Sequence, residues 1–369
     1  MARVVLAGWV VLVLLVGLGV LAWAEEPVET GLEYLATQQQ ADGGFTNGFS
    51  EGSDLGTTCD VILAIAADGQ DASTWKSDDG KSPLDYLYAQ VAGGTVNTPG
   101  LQAKVVLAML ASGQDPGAIA GSDLIAALNA AYNADLHGYG ETIFDHALAM
   151  LALSNAGQAV PEQAAQYLLD NQRDDGAWAL FGGAEAASDT NTTALAVQAL
   201  LATGHRDGIG EALAYFHQVQ NDDGGFPYQN PSDYGTDTDA NSTAVVLQAL
   251  LAAGEPLSDW SPKGKSPLDA LNALYDSKSG AFLWQAAVPG PNVLATAQAI
   301  PALADYTFVK LPRVEAATAP GPATAPVGTP LPESGGVALL PVGLIALGAT
   351  ALGTGFVLRR QSRRLFGCG

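Results

Sequence analysis

The sequence predicts an all-α protein made of six helical hairpins, and three observations carry that prediction. Five apolar stretches end alike in a glycine, at Gly69, Gly113, Gly157, Gly204 and Gly254, with spacings of 44, 44, 47 and 50 residues. A sixth stretch at 295–305 keeps the spacing without the glycine. A period of about 40–50 residues marks a repeat architecture. These stretches are rich in Ala and Leu and almost free of charge, so as helices they are apolar all round and must be buried. A more amphipathic segment precedes each of them, which makes every repeat a hairpin of one half-exposed and one buried helix. Twelve such helices can stack as an open solenoid or close as two concentric rings of six. The fully apolar second helices favour closure, because an inner ring is covered on nearly all sides.

Taken in chain order, the outer helices are expected at 28–40, 82–91, 122–133, 161–172, 208–220 and 266–276, each followed by its buried partner. Ser82-Pro83 and Ser266-Pro267 are strong helix starts, with proline at the first helical position. They stand in a duplicated Gly-Lys-Ser-Pro-Leu-Asp segment, at 80–85 and 264–269. The terminal glycines are C-cap signals, since glycine takes the left-handed backbone cheaply. The turn within a hairpin is distinctive: QQADGGF at 39–45, QRDDGAW at 172–178, QNDDGGF at 220–226, and DSKSGAF at 276–282, which keeps the glycine and the aromatic. Asp and Gly make the turn, the aromatic packs beneath it, and the Gln amide is suited to bond free helix-end groups.

This Q-x-x-x-G-x-(W/F) motif, followed by Thr-Ala-x-x-x-x-Ala-Leu helices, resembles the prenyltransferase and squalene-oxidase repeat. That superfamily includes terpenoid cyclases, protein prenyltransferases, complement-like thioester domains and cobalamin carriers. The resemblance implies an α/α toroid, an (α/α)6 barrel, over residues 26–308. It fixes the fold and not the function, because the fold hosts both enzymes and binders.

Candidate site residues follow from the start of each inner helix. Counting back 15 from the terminal glycines gives Asp54, Thr98, Thr142, Asp189 and Asp239; counting back 11 gives Thr58, Gln102, His146, Thr193 and Thr243. Ser, Thr and Asp at a helix start cap free backbone N–H groups. In a toroid the six inner N-termini also gather at one mouth, so the same residues would ring a cavity. The candidate ligand-binding set is Asp54, Thr58, Asp145, His146, Asn191, Thr192, Asp239, Asn241 and Thr243.

Squalene–hopene-type cyclases carry Asp-x-Asp-Asp-Thr-Ala, whose middle Asp protonates the substrate. Asp237-Thr238-Asp239-Ala240 is the nearest stretch, with Ala240 where the next Asp belongs, so Asp237 and Asp239 are the alternative catalytic pair. Cys59, in Thr-Thr-Cys-Asp, lacks a thioester context, and it has no partner at zinc-ligand spacing. No cofactor or metal is expected.

The ends carry separate signals. Residues 1–24 read as a signal peptide: Arg3, an apolar run, and Ala22-Trp23-Ala24 as a small-x-small cleavage site. Residues 309–335 read as a Pro/Ala/Thr-rich stalk. Residues 337–358 are uncharged and long enough to span a bilayer, and Arg359, Arg360, Arg363 and Arg364 follow on the cytoplasmic side. Leu331-Pro332-Glu333-Ser334-Gly335 ahead of this anchor and tail (336–369) resembles a sortase sorting signal, with Ser334 where the usual pattern has Thr. The resemblance implies the outer face of a bacterial envelope, with sortase and peptidoglycan as partners.

All 38 acids and only 10 bases lie in 25–335, a balance that excludes nucleic acid, whose phosphates demand clustered Lys and Arg. The reading in full is a surface-anchored, non-catalytic protein that holds a small molecule or a surface partner in the mouth of the toroid, with a terpene cyclase as the alternative.

Overall fold

A computed structural model describes residues 26–48, 51–183 and 186–314. The segments read as signal peptide, sorting motif, anchor and tail lie outside the described residues. Among the described residues no helix is long and apolar enough to cross a membrane.

Among the described residues, twelve α-helices alternate between two rings. The outer helices are α1 (26–37), α3 (Pro83–Ala92), α5 (Leu124–Ala130), α7 (Glu162–Asp170), α9 (Ile209–Val219) and α11 (Pro267–Leu274). The inner ones are α2 (Leu55–Ala67), α4 (Pro99–Ala111), α6 (Ile143–Asn155), α8 (Thr190–Ala202), α10 (Ala240–Ala253) and α12 (Val293–Leu303). Each inner helix packs on the inner helix of the next repeat, and α12 packs on α2, so the ring closes. The outer ring is stitched at the same seam, where the Thr30 hydroxyl meets the Tyr275 hydroxyl at 2.7 Å. The fold is therefore the closed alternative, an α/α toroid.

The terminal glycines all take positive φ, from +69° to +85° at Gly69, Gly113, Gly157, Gly204 and Gly254. Five of the six outer helices end one to three residues earlier than expected. After α5 and α11 the chain forms two-residue antiparallel ribbons, β1 (Tyr132–Asn133) with β2 (Gly138–Tyr139), and β3 (Tyr275–Asp276) with β4 (Ala281–Phe282). Both repeats lack the motif Gln, and the ribbon supplies the cross-turn bonds that the Gln amide makes elsewhere.

Those amide bonds reach further than the sequence suggested. Gln172 Nε2 donates to the carbonyl of Gly176 and to that of Gly208 in the next repeat, both at 2.7 Å. Gln220 Nε2 does the same with Gly224 at 2.8 Å and Trp260 at 2.9 Å. The motif thus staples consecutive hairpins as well as closing its own turn. Within the turn, Asp42, Asp175 and Asp223 each accept the backbone N–H two residues on. Gly224, at φ +88°, lies so close to the next repeat that a Cβ would sit 2.4 Å from the Ser266 carbonyl oxygen. Glycine is needed there for space as well as for dihedral freedom.

After α12 the chain does not leave the barrel at once. Residues 305–314 form a strap across the C-terminal end of the inner ring. It takes the Gln248 amide on the Tyr306 carbonyl (3.1 Å) and gives the Phe308 N–H to Gln198 Oε1 (2.8 Å). It then takes the Asn155 amide on the Phe308 carbonyl (2.8 Å) and gives the Val314 N–H to the Ala111 carbonyl (2.9 Å). It therefore crosses α10, α8, α6 and α4 in turn and seals that end, with Leu311 and Pro312 buried.

Candidate functional site

Each of the six inner helices begins with a side-chain cap. Asp54, Thr98, Thr142, Asp189, Asp239 and Asn292 each accept the N–H three residues on, as the start signals predict. Four residues further along stands a second repeated device. The hydroxyls of Thr58, Thr193, Thr243 and Thr296 accept the backbone N–H of the motif aromatics Phe45, Trp178, Phe226 and Phe282 at 2.9–3.0 Å. Each donates in turn to the carbonyl of its own cap residue at 2.7 Å. This clamp ties the hairpin turn to the inner helix.

In the third repeat His146 replaces the threonine. Its Nδ1 accepts from the Tyr139 N–H at 3.0 Å, so Nε2 carries the proton and donates to the Ala164 carbonyl at 2.9 Å. Burial pushes its pKa down to about 4, and the ring stays neutral at pH 7. The second repeat has no motif turn, and there the equivalent Gln102 has a buried Oε1 without a partner.

The candidate residues therefore divide. Thr58, His146 and Thr243 are fully buried clamps. Asp54 caps α2. Asp239 caps α10, with Oδ1 taking the Ser242 N–H (2.7 Å) and Oδ2 its hydroxyl (2.8 Å). Thr192 gives its N–H to Asp189 and keeps a buried hydroxyl oxygen without a partner. The Asp145 side chain fills the space left by Gly100 and Gly140, and burial raises its pKa. Asp237 is exposed. Asn191 lines the axial cavity, and Asn241 hydrogen-bonds its lining residue Gln298.

The axial cavity is lined by a layer two residues beyond each clamp: Asp60, Lys104, Leu148, Leu195, Val245 and Gln298. Its empty volume is about 690 Å³, open mouth included. The layer is split by polarity. Lys104 Nζ bonds both carboxylate oxygens of Asp60, at 3.0 and 2.9 Å. Gln298 Nε2 adds a bond to Asp60 Oδ2 at 3.0 Å, and Asn241 Nδ2 reaches Gln298 Oε1 at 2.9 Å. Burial acts to lower the Lys104 pKa, but the Asp60 charge and hydrogen bonds outweigh it and hold the ammonium above the usual lysine range. Opposite this polar arc stand the three aliphatic residues, with Phe144 above them.

Phe144, Asn191 and Asn241 at the N-terminal mouth are partly exposed, whereas Leu63, Leu148 and Leu195 deeper down are buried. Tyr306, Phe308 and Leu311 of the strap form the floor. The sequence reading missed Asp60 and Lys104. Their signal was two charges, 44 residues apart, within helices otherwise free of charge.

With this geometry in hand, the fold can be placed among known ones. Residues 126–274 match the family model of the squalene-hopene cyclase C-terminal domain. Among solved structures, the type II terpene cyclase MstE from Scytonema superposes with a TM-score of 0.54 at 14% identity, over 76% of this chain and 97% of that one. The α-1,6-mannanase of Salegentibacter sp. HEL1_6 gives 0.55 at 12%, over 78% and 100%. The unsaturated glucuronyl hydrolase of Bacillus sp. GL1 gives 0.54 at 13%, over 76% and 96%.

The chain has the terpenoid-cyclase-like α/α toroid fold.

No curated protein sequence matches. The toroid is thus shared by cyclases and glycoside-cleaving enzymes, and the likeness fixes the architecture alone.

Proposed function

We propose that the toroid holds a small amphipathic molecule in its axial cavity without transforming it, on a protein displayed at the cell surface by its C-terminal segment. The observation that carries this reading is the split layer above a sealed floor. A ligand entering the N-terminal mouth would lay its carbon skeleton against Phe144, Leu148, Leu195 and Val245. Its hydrogen-bonding groups would meet Lys104, Gln298, Asn241 and Asn191. A few polar groups set in an apolar pocket is the usual composition of a small-molecule site. The acid chemistry of a cyclase is poorly provided for. The cavity-facing carboxylate, Asp60, is held by the Lys104 ammonium and the Gln298 amide; Asp239, whose pKa burial raises, turns both oxygens to Ser242 to cap α10; Asp237 faces solvent.

Native mass spectrometry of the full-length chain from its own host tests the reading. A bound small molecule is expected, and it should be lost from the double variant Lys104→Met/Asp60→Leu, which removes the ion pair without leaving either charge unpaired. A chain that carries no mass, or a double variant that keeps it, overturns the proposal.

The match of residues 126–274 to a cyclase model keeps one second reading in play, turnover of an isoprenoid by Asp237 or Asp239. Incubation with squalene or a polyprenyl substrate decides it: a cyclised product that disappears in Asp239→Asn establishes the enzyme and removes the binder.

A further inference from the structure

Four aromatic side chains stand out to solvent in the loops that lead into the last three inner helices. Phe181 is 55% exposed, Tyr228 43%, Tyr234 84% and Trp284 39%. Single exposed apolar residues are ordinary, but these four share a place in the repeat. Each loop gives one carbonyl to the first N–H of the preceding inner helix. Leu180 O accepts from Ile143 N (2.9 Å), Tyr228 O from Thr190 N (3.0 Å) and Trp284 O from Ala240 N (2.9 Å). All three carbonyls lie two residues past a motif aromatic, so the same backbone step sets the loops at equal height around the mouth. Side chains tie neighbouring loops together, Gln229 Nε2 to the Ala187 carbonyl and Gln285 Nε2 to the Asp237 carbonyl, each at 3.4 Å. Asp233, next to Tyr234 in the chain, and Asp237, whose carbonyl takes the amide of Gln285 beside Trp284, have exposed carboxylates. The four rings play no part in the axial cavity.

We propose that this rim is a binding surface for a neutral polysaccharide. The C–H faces of sugar rings stack on aromatic faces, which are electron-rich. Sugar hydroxyls donate to carboxylates that have only acceptor capacity. The alternative partners of an exposed aromatic surface, an anionic lipid surface or a phosphorylated chain, are disfavoured by Asp233 and Asp237 and by the net charge of −23. The backbone at Tyr228 and Trp284, and next to Phe181 at Leu180, is held by hydrogen bonds to a rigid helix ring, so little backbone freedom is lost on binding.

The test uses the purified full-length chain with cellohexaose and chitohexaose as probes, read by intrinsic tryptophan fluorescence and by calorimetry. One of the two sugars should bind and shift the emission. Trp284→Ala should weaken that binding about tenfold, the loss of one stacking contact, and Trp284→Phe should recover most of it. Unchanged thermal melting of both variants shows that the fold is intact. The proposal fails if neither sugar binds, if Trp284→Ala binds as well as the parent, or if neutral or anionic vesicles take up the rim in place of sugar. The Lys104→Met/Asp60→Leu variant separates the two sites. It should keep sugar binding, and a loss there would place the sugar in the axial cavity and overturn the rim.

Discussion

Replacing Thr243 by valine isolates the clamp between hairpin turn and inner helix. Valine matches threonine in shape, so packing is preserved and the hydroxyl alone is removed. Two hydrogen bonds go with it, the one accepted from Phe226 N–H at 3.0 Å and the one donated to the Asp239 carbonyl at 2.7 Å. Their losses are unequal. The Asp239 carbonyl keeps the helical bond from Thr243 N–H at 3.0 Å, whereas the buried Phe226 N–H is left without a partner. Orphaning a buried donor costs about 1–3 kcal/mol, and we expect a loss of about 2 kcal/mol. Thr243→Ser keeps both bonds and gives up one methyl group, about 1 kcal/mol. The clamp without a turn behaves in the opposite sense: Gln102 Oε1 is buried and unpaired, so Gln102→Met should be neutral or stabilising. Urea unfolding followed by far-ultraviolet circular dichroism measures all three. A valine variant less than about 0.5 kcal/mol below the parent, or a serine variant as poor as the valine one, refutes the reasoning.

Two other outcomes follow from single residues. Burial pushes Asp189 and Asp239 up to about 6 from the ordinary 3.8, so the native state holds these protons more tightly than the unfolded chain. Their contribution, about 3 kcal/mol each at most, is fully present below pH 4 and is lost as pH rises through 6. The urea midpoint should fall across that window, and Asp189→Asn/Asp239→Asn, in which asparagine still caps, should flatten the fall. Among the glycines, Gly224→Ala places a Cβ 2.4 Å from two carbonyl oxygens, whereas Gly254→Ala meets nothing within 4 Å. The first should cost several kcal/mol and the second about 1 kcal/mol, the backbone penalty alone, in the same unfolding assay.

The repeat was legible because its signals are local. A glycine past each inner helix, a capping side chain before it and an Asp-Gly turn all act within a few residues of where they stand. What the sequence concealed acts between repeats. An inner helix that is apolar all round has no preferred face, so nothing in its periodicity marked residues two beyond each clamp as the axial ones. Lys104 was readable only as the partner of Asp60 one period earlier. Thr58, Thr243 and His146 looked like a polar mouth because the turn N–H they hold lies 7–17 residues before them. The strap was invisible for a related reason. Residues 305–314 have no helical period, and Gln198 and Gln248, which hold them, lie in apolar stretches where nothing local marks their distant partners.

Closure of α12 onto α2 has a consequence for how the molecule comes apart. A linear stack of hairpins loosens from its terminal units, each of which has one neighbour to lose. Here every inner helix has two flanking partners, and the first and last hairpins are as well supported as the middle ones. No unit can detach without breaching the ring and exposing the inner faces of the rest. The structure has given up graded fraying for unfolding as one body, and with it the freedom to grow or shrink by a single repeat.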